Sequence, residues 1–434
     1  MLHRRIQSSW KPSIISNETK QIGNVESTIF SSRERFMSSK AFLDSIVIGK
    51  GLVGSAAGKY LSMFGERVAV IGPDEPSDLS KAIVFASHYD SGRVQRLIGT
   101  DRLSTLVNLQ AARQYPRLEL ASGIRFHIGV GCLYVNPRGN DDYLKDAANK
   151  ALQYGLKAQL FESAQELAKA FPAFRFPETS QGLFEPAPAG HINPRNLIAA
   201  QLVVAAQNGC EIVRETVRDV RYLSDHVAIT THESSTIRAR KVLFATGAFS
   251  NLLNSPDRRL ALVLKSETII LLKLSASEAE RMVQLPSLLY EINVPELEGI
   301  YLTGPVRYPD GSLCIKMGCN LPQDIFFGDS LEEIQAWFRN GDSESHVPLM
   351  LDAAKTLLPD LVIEDCISKR CILTRTRNHG NPYIGRVGEQ SFAAIGTGYS
   401  AMCSDSLGRL AAGLMVNGTF PEEYDPHELE IVCT

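Results

Sequence analysis

Three glycines near the start of the chain have the spacing of a nucleotide-phosphate site. Gly49, Gly51 and Gly54 form G-x-G-x-x-G between an apolar run at 46–48 and a helical pattern, and a second apolar run follows at 67–71. In such a turn the first glycine permits the tight bend, the second lets the backbone approach a pyrophosphate, and the third lets helix and strand pack closely. Free N–H groups at the helix N-terminus favour the phosphate charge. The stretch therefore predicts a βαβ unit with a dinucleotide site; a tight turn without a ligand is the alternative.

The acid that usually holds the ribose of a dinucleotide belongs at the end of the second strand of this unit. Gly72 occupies that place, and Asp74 and Glu75 follow it. One of these acids reaches the ribose from a bent loop, or both are solvated loop residues. We take Asp74 as the predicted contact.

Two arginines and a lysine are further candidates for chemistry. Arg93 and Arg96, in SHYDSGRVQR, are three residues apart, so a helical turn would place them on one face. There they could hold a carboxylate or a flavin carbonyl; two solvated arginines are the alternative. Lys316, in CIKMGCN, is near the end of a β-run, where the local sequence favours a solvated edge-strand lysine.

Composition excludes several classes of protein. The chain has 434 residues, enough for two or three domain-sized cores, and a net charge of -3, which gives no indication of a nucleic-acid partner. No apolar run is long enough to predict a transmembrane segment. The eight cysteines are scattered without a C-x-x-C pair, so we expect reduced thiols, no disulfide framework and no metal site.

The N-terminal segment, residues 1–40, does not resemble a folded domain. It is rich in serine and carries Arg4, Arg5 and Lys11 before its first acid, as organellar transit peptides do. A disordered extension and translation from Met37 are the alternatives. Localisation is accordingly predicted as mitochondrial or cytoplasmic.

The remaining pattern is α/β at both ends with a strand-rich middle. Strands are predicted at 123–135 and 210–217, and the Pro- and Gly-rich segment 176–190 is interpreted as a domain crossing. Near the C-terminus, Gly396 and Gly398 follow a short strand and are predicted to open a helix, again with an anion- or carbonyl-binding N-terminus.

Taken in order, these pieces resemble the D-amino-acid-oxidase-like FAD-dependent oxidoreductases, and most closely the monomeric sarcosine oxidase branch. The resemblance runs from Asp44 to Val416. Its markers are the glycine motif, GRVQR, GHINPRNL, VLFATGAF, P-Y-I-G and GTGYS. The fold class that this resemblance implies is α/β, or α+β overall.

The resemblance implies a Rossmann-like FAD-binding domain assembled from separated segments, with an inserted and mostly antiparallel substrate domain. The FAD-binding segments would be 41–120, 186–254 and 372–434. The substrate domain would comprise 121–185 and 255–371.

The resemblance also assigns roles. Lys316 falls where the branch activates dioxygen, since a fixed cation stabilises superoxide. Cys371, in KRCILTRT, falls where the branch tethers the flavin through a thioether, with a buried free cysteine as the alternative. Arg96 falls where a substrate carboxylate is held, a task that suits bidentate geometry. The predicted FAD-binding residues are Gly49, Gly51, Gly54, Asp74, Arg93, Val217, Thr246, Gly247, Cys371, Gly396, Thr397, Gly398 and Tyr399.

Three positions depart from the sarcosine oxidase pattern. Ser400 replaces a carboxylate-binding lysine, Leu373 replaces an active-site tyrosine, and Asn320 replaces a histidine. We therefore predict an amine other than sarcosine, either larger or without a simple carboxylate.

The leading functional hypothesis is an FAD-dependent amine or amino-acid oxidase that reduces dioxygen to hydrogen peroxide. One alternative is a dehydrogenase that passes electrons to a quinone or a carrier protein. Another is a mitochondrial flavoprotein assembly factor in which FAD is structural. An NAD dehydrogenase would leave the GTGYS segment unexplained. The oligomeric state is not predicted.

Overall fold

Helices and strands alternate at both ends of the chain, and a long run of strands lies between them. A computed structural model describes residues 42–139, 142–252, 259–377 and 379–434; the predicted extension at 1–40 lies outside them. The described strands are β1 (Leu43–Ile48), β2 (Val68–Ile71), β3 (Arg93–Gln95), β4 (His127–Ile128), β5 (Cys132–Asn136), β6 (Gln159–Phe161), β7 (Gln181–Glu185), β8 (Gly190–Ile192), β9 (Glu211–Val213), β10 (Val217–Tyr222), β11 (Val227–Thr231), β12 (Thr236–Phe244), β13 (Leu262–Leu274), β14 (Ser287–Val294), β15 (Leu297–Arg307), β16 (Leu313–Asn320), β17 (Phe326–Phe327), β18 (Asp365–Thr376), β19 (Tyr383–Arg386) and β20 (Ser391–Ile395). The described α-helices are α1 (Leu52–Met63), α2 (Arg102–Ser122), α3 (Asp142–Gln153), α4 (Ala164–Ala170), α5 (Pro194–Gln207), α6 (Ala276–Arg281), α7 (Leu331–Asn340), α8 (Val347–Leu357) and α9 (Ser404–Asn417).

The first sheet has the parallel centre of a Rossmann-like unit. Strand β1 pairs in parallel with β2 on one side and β12 on the other, and β9 and β20 extend the parallel set at β2 and β12. The four residues of β2 are all buried, as expected for a parallel strand covered on both faces. The predicted Rossmann-like fold is therefore confirmed.

Helices α1 and α9 pack tightly beside this sheet. A Cβ added at Gly408 of α9 would lie 2.4 Å from the Cβ of Ala56 in α1, so the close approach depends on the glycine. Tyr60 of α1 donates a hydrogen bond to Asp405 of α9 at 2.7 Å, and Lys59 forms an ion pair with the same buried carboxylate. Two segments more than 300 residues apart in sequence thus form one core.

The second sheet has nine described strands and is mostly antiparallel. Its order is β17, β13, β16, β15, β14, β5, β7 and β6, with β18 on the free edge of β13, and only β14 and β5 pair in parallel. A third sheet contains β3, β8 and β4. The predicted antiparallel insertion is confirmed, whereas the exact domain boundaries stay predictions.

Several element predictions were wrong in detail. Arg93 lies in strand β3, antiparallel to β8, so Arg93 and Arg96 do not share a helical turn. The single strand predicted at 123–135 is two, separated by Gly131 with φ +85°. The strand predicted at 210–217 is also two, β9 and the start of β10, and segment 176–190 contains strand β7. In each case the tertiary pairing overrides the local pattern.

Within the described ranges, no helix combines the length and the apolar character needed to cross a membrane.

Candidate active site

The glycine turn between β1 and α1 has the geometry that its motif predicts. Gly49 has φ +107°, a conformation that other residues rarely adopt, and a Cβ added at Gly54 would lie 1.8 Å from the Gly49 carbonyl oxygen. Gly51 is different, because its added Cβ would meet only the His88 ring, at 3.6 Å. Gly49 and Gly54 are therefore needed by the turn itself, whereas Gly51 leaves the backbone open to a ligand.

A cavity of about 520 Å³ extends from this turn. Its volume is in the range of small-molecule and cofactor sites. Most of the predicted site residues line it, namely Gly49, Gly51, Arg93, Arg96, Val217, Thr246, Gly247, Cys371, Gly396, Thr397, Gly398 and Tyr399. Gly54, Asp74 and Lys316 lie outside its lining, with Gly54 packed against Gly49.

The predicted ribose contact, Asp74, is engaged by two cations. Lys50 and Arg214 both pair with its carboxylate, and Glu75 forms a bidentate pair with Arg195 at 2.6 Å. Burial lowers the pKa of Lys50, although Asp74 opposes that shift. Both acids that follow Gly72 thus have basic partners, and a contact between Asp74 and a ribose stays a prediction.

The GTGYS segment forms a turn before its helix begins. The Ser400 amide donates to the Thr397 carbonyl at 2.9 Å, and the Thr397 amide donates to Ser400 Oγ at 2.6 Å. Because this turn closes on itself, helix α9 begins only at Ser404, and the prediction that Gly396 and Gly398 open it was wrong. The glycines still face the cavity, together with Leu373 and Ser400.

Arg93 and Cys371 are neighbours on the cavity wall. Arg93 Nη2 lies 3.8 Å from Cys371 Sγ, and Nη1 lies 3.6 Å from Asp90 Oδ2. The predicted tether position therefore carries a cation beside its sulfur.

Lys316 is buried, not solvated as its local sequence favours. Its ammonium donates to Asp90 Oδ2 at 2.5 Å and to the Gly92 carbonyl at 2.9 Å, and it lies 5.4 Å from the Tyr301 ring centroid. Burial, together with the Arg93 charge, lowers the pKa of Lys316 to about 8, although Asp90 opposes the shift. Burial would raise the pKa of Asp90, but Lys316 and Arg93 outweigh it and lower that pKa. Lys316 thus lies behind the cavity lining, linked to Arg93 through Asp90 and positioned beside Tyr301.

Arg96 offers hydrogen-bonding capacity to a ligand. Its Nε is buried and has no hydrogen-bond partner among the described residues. Its guanidinium carbon lies 5.7 Å from the Tyr134 ring centroid, and no ion pair with a carboxylate is seen in the described ranges. Because Arg96 lines the cavity without a described carboxylate partner, its guanidinium could pair with a carboxylate bound there.

Sequence reasoning missed three polar residues of this region. Asp90 holds Lys316, and Glu267 and Tyr301 both line the cavity, where the Tyr301 hydroxyl donates to Glu267 Oε1 at 3.0 Å. The one available signal was Glu267 itself, a charged residue at the start of an otherwise apolar β-run.

These residues fit a bound dinucleotide flavin. The glycine turn leaves Gly51 open, the cavity runs from that turn to Cys371 and Gly398, and Arg96 lines it. Among the described residues, no group of three or more metal-ligating side chains is present.

Comparisons with known proteins agree on one family. The family model of the FAD-dependent oxidoreductases (DAO) matches residues 44–414 of this chain. Monomeric sarcosine oxidase from Arthrobacter sp. (strain TE1826) is 28% identical over 220 residues, covering 50% of this chain and 55% of that protein. N-methyl-L-tryptophan oxidase from Yersinia pestis (strain Pestoides F) is 28% identical over 171 residues, covering 39% and 44%. The match thus spans about half the length of these curated relatives.

Solved structures with the same fold include two amino-acid-oxidising enzymes. NikD, an unusual amino acid oxidase essential for nikkomycin biosynthesis, has a TM-score of 0.71 at 20% identity, covering 91% of this chain and 98% of that one. Glycine oxidase from Geobacillus kaustophilus has a TM-score of 0.68 at 19% identity, covering 91% and 99%. The predicted family and its cofactor, FAD, are confirmed: this chain belongs to the D-amino-acid-oxidase-like family of FAD-dependent oxidoreductases.

Proposed function

We propose that this protein oxidises the C–N bond of an amine or amino acid and passes the electrons to dioxygen, giving hydrogen peroxide. The observation that carries the proposal is that Arg96 lines the same cavity as the glycine turn and has no carboxylate partner among the described residues. When bound, FAD supplies the acceptor for hydride from the C–H bond next to nitrogen and returns electrons to dioxygen. The related proteins named as oxidases support the same reaction class.

Charged and apolar residues around the cavity have different roles in the proposed reaction. Arg96 binds a carboxylate or another anionic group of the substrate. Leu373 and Leu289 add apolar surface to the cavity, which favours a substrate with a larger apolar part than sarcosine has. Lys316, held by Asp90, keeps a positive charge near the cavity without entering it, and so supports electron transfer to dioxygen.

A dehydrogenase that uses a quinone or a carrier protein is the second candidate. The observation in its favour is that Lys316 is paired with Asp90 and does not line the cavity. A lysine occupied in this way would contribute less to dioxygen chemistry than a free one. Reaction with oxygen separates the two candidates.

The test is a screen of FAD-loaded protein against amines in air and with an artificial electron acceptor. The panel contains N-methyl amino acids, primary and secondary amino acids with small and large side chains, and matched amines without a carboxylate. Peroxide formed in proportion to the amine consumed supports the oxidase. Turnover only with the acceptor supports the dehydrogenase, and no turnover under either condition contradicts both.

A further inference from the structure

Glu267 and Cys371 face the cavity side by side. They are paired residues of the antiparallel strands β13 and β18, so their side chains leave the same face of the sheet. Both line the cavity, and Glu267 is only 7% exposed. Glu267 and Cys371 are therefore neighbours across two strands that face the same cavity.

The surroundings of Glu267 carry an excess of negative charge. Lys265 Nζ contacts Glu267 Oε2 at 2.9 Å and Asp324 Oδ2 at 2.5 Å, so one cation is shared by two carboxylates. The Tyr301 hydroxyl fixes the other oxygen of Glu267 at 3.0 Å. The cluster of Lys265, Glu267 and Asp324 has a net charge of -1, and the Glu267 carboxylate is held in one orientation.

A net positive charge lies near the Cys371 sulfur. Arg93 and Lys316 share the single carboxylate of Asp90, which leaves that cluster with a net charge of +1, and Arg93 Nη2 lies 3.8 Å from Sγ. Cys371 thus has a cation 3.8 Å from its sulfur and, as its cross-strand neighbour, a carboxylate that can accept a proton. The oxidation proposed above gives Glu267 no task.

We propose that Glu267 is the base for covalent attachment of the flavin to Cys371: it accepts the proton that leaves the flavin 8-methyl group as Sγ bonds to that carbon. This inference rests on the proposed function, since it requires FAD in the cavity with its 8-methyl group at Cys371. Tyr301 and Lys265 act as positioning residues for the carboxylate.

The attachment balances with dioxygen as the oxidant. One C–S bond forms, while one C–H bond of the methyl group and the S–H bond break. The methyl proton goes to Glu267 and the thiol proton goes to solvent. The remaining electron pair passes through the flavin to dioxygen, which takes up two protons and becomes hydrogen peroxide.

The test follows attachment in the full chain, produced under riboflavin limitation and then mixed with FAD in air. Intact mass and acid-precipitated flavin absorbance give the covalent fraction over time, and the spectral change on mixing gives the affinity for FAD. Cys371→Ser provides the reference for non-covalent binding. Glu278→Gln is the matched control, because Glu278 is also 7% exposed and ion-paired, with Arg281, but lies outside the cavity lining.

We expect Glu267→Gln to bind FAD as tightly as Cys371→Ser does but to attach it about 100-fold more slowly or worse, the usual effect of losing a general base. Glu278→Gln should attach FAD at the wild-type rate, and Glu267→Asp should recover part of the loss.

Three results would overturn the inference. The first is wild-type attachment in Glu267→Gln. The second is failure of Glu267→Gln to bind FAD while Glu278→Gln binds it, which would make Glu267 a structural residue. The third is wild-type protein that holds only dissociable FAD. If that protein still produces peroxide from an amine, the inference fails and the proposed function stands.

Discussion

Gly51 and Gly54 give a sharp prediction, because a methyl group would meet different surroundings at the two positions. At Gly54 it would lie 1.8 Å from the Gly49 carbonyl oxygen, and real Cβ contacts below 3.0 Å are essentially absent, so the turn must open by at least 1.2 Å. At Gly51 the nearest atom is 3.6 Å away, an ordinary contact. Gly54→Ala therefore strains the fold, whereas Gly51→Ala puts a methyl group where the pyrophosphate approaches.

The magnitudes follow from this difference. Overpacking costs about 1–3 kcal/mol, so Gly54→Ala should lower the free energy of unfolding by that amount even without FAD. Gly51 is the N-cap of α1, and alanine there should cost only about 0.5–1 kcal/mol of stability. FAD affinity of Gly51→Ala should nevertheless fall about 10- to 100-fold, which corresponds to roughly 1.4–2.8 kcal/mol.

The assay is urea unfolding of the FAD-free protein together with titration by FAD. Gly413→Ala is the control, since Gly413 lies inside α9 with nothing within 4 Å of an added Cβ; it should keep FAD affinity and gain about 0.5–1 kcal/mol of stability. If Gly51→Ala bound FAD as tightly as the wild type does, the expectation that the Gly51 backbone approaches the pyrophosphate would be refuted. Wild-type stability in Gly54→Ala would refute the turn geometry.

Three further predictions concern the cations. Lys316→Met should slow flavin reoxidation by dioxygen about 10²- to 10³-fold while leaving anaerobic reduction by substrate unchanged. Rapid mixing measures the two steps separately, and equal slowing of both would contradict a role of Lys316 in the oxygen reaction. Lys316, which lies near Asp90, Arg93 and Tyr301, has a pKa of about 8. Its ammonium group is therefore protonated below pH 8 and becomes neutral above pH 8. The reoxidation rate should therefore fall as pH rises through about 8, and this fall should be missing from the pH profile of Lys316→Met. Arg96→Met should raise KM about 10- to 100-fold for amines with a carboxylate, because a charge-assisted hydrogen bond worth about 1.5–3 kcal/mol is lost. The KM for matched amines without a carboxylate should not change. Equal effects on both kinds of amine would show that Arg96 does not bind the substrate.

The βαβ unit was predictable because its signals are local. Glycine spacing, two apolar runs and a helical pattern lie within 30 residues. Strand β3 was not predictable in this way. Its three residues form a strand only because β8, about 100 residues later, pairs with them.

The cavity was predicted better than the charges around it. Most of the residues that the family motifs indicated line it, including Arg93, Cys371 and Tyr399. Lys316 was predicted as a solvated lysine from its local sequence, because its partner Asp90 is 226 residues away. The pairing of Glu267 with Tyr301 is equally non-local, so no spacing rule could have found it.

Anaerobic mixing of the FAD-loaded protein with an amine, followed by admission of air, tests the central claim most directly. The account predicts that the visible flavin absorbance bleaches with the amine, returns with oxygen, and yields one hydrogen peroxide for each flavin reoxidised. A flavin that stays oxidised with every amine of the panel, or a protein that binds no FAD, would contradict it.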